Sequence, residues 1–151
     1  MGTAYPLAAR TLILFGATGD LAHRMLFPSL YHLLSDGLLP EGFRILASGR
    51  SEMDDGAFRE SIDAALRTYL PDEHLDEGRV AAFLEMIGYC AVAAGNDAQF
   101  ATLADRVRAL GDGPVAVYLS TPPSLFAPTA QGLANAGLVA PTTRIAMEKP
   151  I

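Results

Sequence analysis

Gly16-Ala-Thr-Gly19-Asp-Leu-Ala22 sets small residues at the first, fourth and seventh positions of a stretch that follows the apolar run Thr11-Leu-Ile-Leu-Phe15. This spacing is a variant of the glycine fingerprint that grips a dinucleotide pyrophosphate. Gly16 permits a tight turn, Gly19 lets the pyrophosphate reach the amides at a helix N-terminus, and Ala22 allows that helix to pack closely on a sheet. The expected contacts run through Gly16, Ala17, Thr18, Gly19, Asp20, Leu21 and Ala22, with Asp20 also complementing the helix dipole. Further on, Arg50 follows a second strand, where a site for NAD carries an acid to hold the ribose 2′-hydroxyl. A guanidinium there pairs instead with a 2′-phosphate through charge-assisted bonds, and Thr18 and Ser51 add hydroxyl donors, so the expected cofactor is NADP.

Two further stretches stand where a strand ends. Ser120-Thr121-Pro122-Pro123 follows one of them, and Glu148-Lys149-Pro150 closes another, with Lys149 the sole lysine in the chain. Its ammonium is placed to meet a substrate phosphate or hydroxyl near a nicotinamide. His23, His32 and His74 show no metal-ligand spacing and are expected to be structural, so no metal is expected.

The elements that must hold these residues follow from period and punctuation. Thr11 to Phe15 reads as a strand buried on both faces. From Asp20, apolar residues at Leu21, Met25, Leu26, Leu30, Leu33 and Leu34 give a helix closed by Asp36-Gly37, with Pro28 expected to kink it about a turn after it starts. Arg44 to Ser48 is the second strand, and Asp54 or Asp55 caps a helix through Phe58, Ile62, Leu66 and Tyr69, ended by Pro71. A helix over 76–86, strands over 89–93 and 114–119, helices over 97–110 and 124–136, and a fifth strand over 144–147 complete the series. Strands alternating with helices imply a doubly wound, mainly parallel α/β sheet of Rossmann type, whose ligands bind at the carboxyl ends of the strands.

Composition bounds the rest. A chain of 151 residues, half hydrophobic and 19% charged, describes one globular domain with enough apolar material for a core. A net charge of −6 argues against nucleic acid as a partner. Ten of the seventeen acids fall within 52–85 against three arginines, which reads as the solvated face of two helices. The single cysteine, Cys90, lies in the apolar run 87–94 as a small core residue, and fits a reducing, cytoplasmic setting. No apolar run approaches the roughly 18 residues that span a bilayer, and the first ten residues lack the pattern of a signal peptide. Neither membrane association nor export is expected.

Three ordered motifs carry a family resemblance. Phe15-Gly-Ala-Thr-Gly-Asp-Leu-Ala22, continued by Arg24, Leu26, Pro28, Leu30 and Tyr31, resembles the N-terminal signature of the glucose-6-phosphate dehydrogenase family. Tyr118-Leu-Ser-Thr-Pro-Pro-Ser-Leu-Phe126 and Glu148-Lys-Pro150 resemble its later signatures in the same order. The resemblance implies NADP-dependent oxidation of glucose 6-phosphate at C1 to the 6-phosphogluconolactone, the entry to the pentose phosphate pathway. By that implication Gly16 to Ala22 hold the pyrophosphate, Arg50 and Thr18 meet the 2′-phosphate, Ser120, Thr121 and Pro122 line the cofactor crevice, and Lys149 contacts the sugar and helps place the nicotinamide, with Pro150 shaping the turn beside it.

The sequence departs from the family at Met25, where many members carry a lysine. The resemblance also places a general-base histidine, its supporting aspartate, the main sugar-phosphate site and a dimer-forming sheet domain beyond Ile151. The expected organisation is an N-terminal extension over 1–10 and a truncated dinucleotide-binding domain over 11–151, with no catalytic residue in this chain, no turnover by these residues alone, and a whole protein that is a homo-oligomer. A stand-alone dinucleotide-binding or sensor module without catalysis is the alternative. An extended short-chain oxidoreductase is disfavoured, because its Tyr-x-x-x-Lys pair is absent.

Overall fold

The computed structural model describes residues 10–111 and 113–138, and the backbone course of 144–147. The chain enters the sheet at Arg10, whose N–H donates to Pro114 O at 2.9 Å and whose carbonyl accepts from Arg44 N at 2.9 Å. Among the described residues the sheet has five strands, all parallel: β1 (Thr11–Phe15), β2 (Arg44–Gly49), β3 (Ile87–Ala91), β4 (Val115–Leu119) and β5 (Arg144–Met147), in the order β3-β2-β1-β4-β5. The chain winds outward from β1 to β3, then crosses back over β1 to begin β4. That reversal leaves a crevice at the carboxyl ends of β1 and β4, the place where doubly wound sheets bind ligands.

Among the described residues five helices cover the two faces: α1 (Phe27–Ser35), α2 (Asp55–Tyr69), α3 (Glu77–Glu85), α4 (Asp97–Ala109) and α5 (Phe126–Asn135). Between β1 and α1 the chain turns helical at Asp20, then widens over Ala22–Leu26 so that Phe27 N–H bonds five residues back, to Ala22 O. The helical run is unbroken from Asp20 to Ser35, with Leu21, Leu26 and Phe27 all in right-handed helical conformation, so Pro28 lies inside it as expected. The wide turn directly before Pro28 is where the helix accommodates a residue that has no N–H to donate. Gly37, at φ 71°, closes α1, with Leu38 N–H donating to Leu33 O and Gly37 N–H to Leu34 O.

Asp54, rather than Asp55, caps α2, its Oδ1 accepting from Ala57 N at 2.7 Å, and Asp76 caps α3 by the same geometry on Arg79 N. β3 begins two residues before the expected 89–93, because Met86 alone links it to α3 and Gly88 is a strand residue, not a breaker. A Cβ on Gly88 would lie 2.8 Å from Arg106 Nη2, so the missing side chain makes room for a guanidinium.

Helices α1, α2 and α3 bury one core, with Phe27, Tyr31, Phe58 and Phe83 fully enclosed, while α4 and α5 bury the other, with Phe100, Leu103 and Leu133. Cys90 belongs to the second core, and burial pushes its thiol up from the ordinary value. The acids of 52–85 do more than face solvent: besides the two caps, Asp63 and Glu77 both hold Arg67 (3.0 and 2.7 Å), and Asp55 pairs with Arg106 at 3.2 Å. His23 bridges Gly19 O and Ser61 Oγ, while His32 and His74 meet edge to face at 5.4 Å. Among the described residues no group of His, Cys, Asp or Glu could hold a metal, and no helix is long and apolar enough to cross a membrane.

Gly132 lets the Phe100 ring of α4 lie against the backbone of α5, since a Cβ there would lie 2.3 Å from that ring. Gly132→Ala is therefore expected to force Phe100 out of its rotamer at a cost of about 1–3 kcal/mol, seen as a lowered midpoint of thermal unfolding followed by circular dichroism.

Candidate functional site

The turn after β1 is pinned from both sides. Ala17 N–H donates to Ser48 O at 3.0 Å, extending the ladder to β2, and Ser120 N–H donates to Phe15 O at 3.0 Å, extending the ladder to β4. Gly16, at φ 78°, sits between them, and a Cβ on it would lie 2.0 Å from Ser120 O. No side chain fits there, whatever its chemistry. Gly19 N–H then donates to Gly16 O at 3.1 Å, and His23 N–H to Gly19 O at 3.2 Å, so the amides of Asp20, Leu21 and Ala22 lead the helix without intrahelical partners. A Cβ on Gly19 would approach Gly16 O at 3.3 Å and meet nothing else close, so its outer side is open.

A cavity of about 430 Å³ opens beside this turn. Gly16, Thr18 and Gly19 form one wall, Gly49 and Arg50 at the end of β2 a second, and Ser120, Thr121 and Pro122 after β4 a third. Phe15, Val92 and Phe100 supply apolar surface, and Ala94, Ser124, Leu125 and Thr129 complete the lining. Among these residues Arg50 is the sole charged one and none carries a carboxylate. Arg24, Arg67, Arg106 and Arg108 are all in ion pairs, whereas Arg50, among the described residues, is exposed and makes neither an ion pair nor a side-chain hydrogen bond. The hydroxyl of Thr121 is buried against the cavity with no partner. An open backbone cradle, an unpaired guanidinium and an unmatched hydroxyl together suit an anionic, hydrogen-bonding ligand.

Of the residues expected from sequence, Gly16, Thr18, Gly19, Arg50, Ser120, Thr121 and Pro122 line the cavity. Ala17 and Ala22 do not; both are fully buried and serve close packing. Asp20 is exposed and accepts from Arg24 Nε at 3.1 Å, Leu21 is half-buried, and Ser51 offers its carbonyl to the Tyr89 hydroxyl instead of lining the cavity. Glu148, Lys149 and Pro150 lie outside the described residues. Sequence reasoning missed Val92 and Ala94, which follow β3 and were signalled by the rule that ligands gather at strand ends. It also missed Leu125 and Thr129, whose four-residue spacing places them on one side of the helical segment. Phe100 gave no sequence signal, because it lies within α4 and reaches the cavity by packing beside Phe15 and Gly132.

Residues 13–151 match the family described as glucose-6-phosphate dehydrogenase, NAD binding domain. The chain is 45% identical over 141 residues to glucose-6-phosphate 1-dehydrogenase of Zymomonas mobilis, covering 93% of this chain and 29% of that protein. It is 31% identical over 153 residues to the enzyme of the same name from Mycolicibacterium smegmatis, covering 99% and 31%. The crystal structure of glucose-6-phosphate 1-dehydrogenase from Mycobacterium avium superposes with a TM-score of 0.85 at 28% identity, over 95% of this chain and 30% of that one. A glucose-6-phosphate dehydrogenase solved in complex with its substrate glucose-6-phosphate gives 0.82 at 26%, over 98% and 32%. The chain thus spans about three tenths of the length of these relatives.

The two glycines of the turn separate folding from binding. Gly16→Ala is expected to cost about 3 kcal/mol or more, through its positive φ and the collision with Ser120 O. Gly19→Ala, whose Cβ would meet only Gly16 O at 3.3 Å, is expected to change stability by no more than about 1 kcal/mol while weakening NADP⁺ binding. Thermal unfolding and a calorimetric titration with NADP⁺, run on both variants, check the pair.

Proposed function

The chain belongs to the glucose-6-phosphate dehydrogenase family through its dinucleotide-binding domain, and from that premise we propose that it selects and positions NADP for oxidation of glucose 6-phosphate at C1 by the whole protein. The observation that carries the cofactor choice is Arg50, an unpaired guanidinium at the end of β2 in a cavity lined, among the described residues, by no carboxylate. A ribose 2′-hydroxyl is held in NAD sites by an acid at this strand end, and the nearest acid in sequence, Glu52, does not line the cavity. A 2′-phosphate instead gains charge-assisted bonds from Arg50, with the Thr18 hydroxyl beside it.

In this reading the amides of Asp20, Leu21 and Ala22 hold the pyrophosphate, favoured by the positive end of the helix that they begin. Ser120, Thr121 and Pro122 bound the crevice on the β4 side, and the unmatched Thr121 hydroxyl becomes satisfied by the ligand. The bound nicotinamide supplies the hydride acceptor; the chain contributes orientation, which counts because hydride transfer depends on close, aligned approach. Lys149, following β5, is assigned by the family resemblance to the sugar side of the nicotinamide. The general base, the sugar-phosphate site and assembly into a homo-oligomer belong, in the same reading, to the whole protein. A cytoplasmic setting fits the single, buried cysteine.

Calorimetric titration of the chain with NADP⁺ and NAD⁺ tests the cofactor choice. NADP⁺ is expected to bind about 10–100-fold tighter, the worth of hydrogen bonds to a charged group, and Arg50→Ala is expected to bring NADP⁺ to the NAD⁺ value. Equal affinities in the wild type, or an Arg50→Ala variant that still discriminates, would refute it.

A further inference from the structure

We infer that Tyr89, which does not line the cavity, is a positioning residue for cofactor selectivity, holding the backbone on which Arg50 is presented. The inference rests on the reading of Arg50 as the 2′-phosphate ligand.

Tyr89 lies in β3, 2% exposed, with its ring stacked on Phe58 of α2 at 4.9 Å and 27°. A phenylalanine would fill this apolar slot equally well, so the hydroxyl must be explained separately. It donates to the carbonyl of Ser51 at 2.7 Å. Burial pushes the phenol up from its ordinary value, with the Glu52 charge adding to the effect, so the group stays protonated and donating at neutral pH.

That bond falls on the residue next to Arg50. On the other side, the carbonyl of Gly49 accepts from Val92 N–H at 2.9 Å. Arg50 is thus flanked by two anchored carbonyls, one tied to the strand ladder and one to the Tyr89 hydroxyl, while its own side chain is unpaired. The loop is held again where it enters α2, and again by Tyr89: its N–H donates to Asp55 Oδ1 at 2.7 Å, and its carbonyl accepts from Arg106 Nη1, which belongs to the guanidinium paired with Asp55. One residue therefore fixes both ends of the segment between Ser51 and Asp55, by its backbone at one end and its hydroxyl at the other.

Gly49 shows how tightly this corner is built. A Cβ there would lie 3.0 Å from both the Tyr89 hydroxyl and Thr18 Oγ1, so the two hydroxyls converge on the residue just before Arg50. A guanidinium carried by a fixed backbone loses less freedom on capturing a phosphate than one carried by a mobile loop, and the gain applies only to a ligand that has the phosphate.

The experiment is a double-mutant cycle of Tyr89→Phe and Arg50→Ala, titrated calorimetrically with NADP⁺ and NAD⁺. Tyr89→Phe keeps the ring and its stack on Phe58, and is expected to weaken NADP⁺ by about three- to tenfold, the loss of one neutral hydrogen bond, while leaving NAD⁺ unchanged. In the Arg50→Ala background it is expected to change neither. Replacement of Tyr89 by 4-aminophenylalanine, which restores a donor, is expected to recover the selectivity. Weakening of both nucleotides alike, an undiminished effect without Arg50, or no recovery with the amino group would each overturn the inference. A wild type that fails to prefer NADP⁺ refutes the reading of Arg50 and the role of Tyr89 together. A wild type that prefers it, with Tyr89→Phe preferring it equally, refutes the role of Tyr89 alone.

Discussion

The carbonyl of Ser120 stands where a side chain on Gly16 would be, 2.0 Å from the position of its Cβ. That contact lets the last residues of β1 and β4 run side by side past the end of the regular ladder, with Ser120 N–H still bonded to Phe15 O. Because β1 is also held to β2 through Ala17 and Ser48, the glycine turn is fixed on both flanks before any ligand arrives. The leading amides of the helix then inherit their direction from the sheet. A larger residue at Gly16 would part β1 from β4, and the wall formed by Ser120, Thr121 and Pro122 would leave the cavity with it.

The same economy appears at the edge of the sheet. β3 is an outer strand, and its outward polar groups would otherwise be open to pairing with another chain. Side chains take them: Arg59 donates to Ile87 O at 2.7 Å, Asp55 accepts from Tyr89 N–H, and Arg106 donates to Tyr89 O. Gly88 makes the room that Arg106 needs. Asp55 is also the first residue of α2, so closing the edge and setting the start of that helix are one act. The β2–α2 loop, and Arg50 on it, hang from this closure.

Much of the fold was legible because it rests on local rules. Apolar runs gave the strands, the Asp54-Asp55 pair gave the start of α2, and the small residues at 16, 19 and 22 gave the turn. What was not legible depends on partners remote in sequence. β3 begins at Ile87, two residues before the expected 89, and Gly88 within it makes room for a guanidinium from α4. Pro28 was legible as interior to a helix, but the wide turn at Ala22–Leu26 that accommodates it was not. Within the cavity, Arg50 and the glycines could be found from their type and their place after a strand. Phe100 could not, since its place depends on Gly132, thirty-two residues later in the chain. Tyr89 reads as one more apolar strand residue, and the use of its hydroxyl appears only when Ser51 is folded against it.

Charge explains how an acidic chain can offer an anion site. The net charge is −6, and the densest run of acids begins two residues after Arg50. Several of these acids are committed elsewhere: Asp54 and Asp76 to helix N-termini, Asp63 and Glu77 to Arg67, Asp55 to Arg106. A carboxylate that accepts backbone amides or faces a guanidinium projects little field, and exposed charges are screened beyond about 8–10 Å at ordinary ionic strength. The ligand meets the nearest groups instead, and among the described residues around the cavity these are helix amides, hydroxyls and one guanidinium. Net charge therefore governs which large polyanions approach the surface, whereas the small anion is chosen by the few groups within contact distance. Committing these acids to helix N-termini and to other arginines is what leaves Arg50 free to choose.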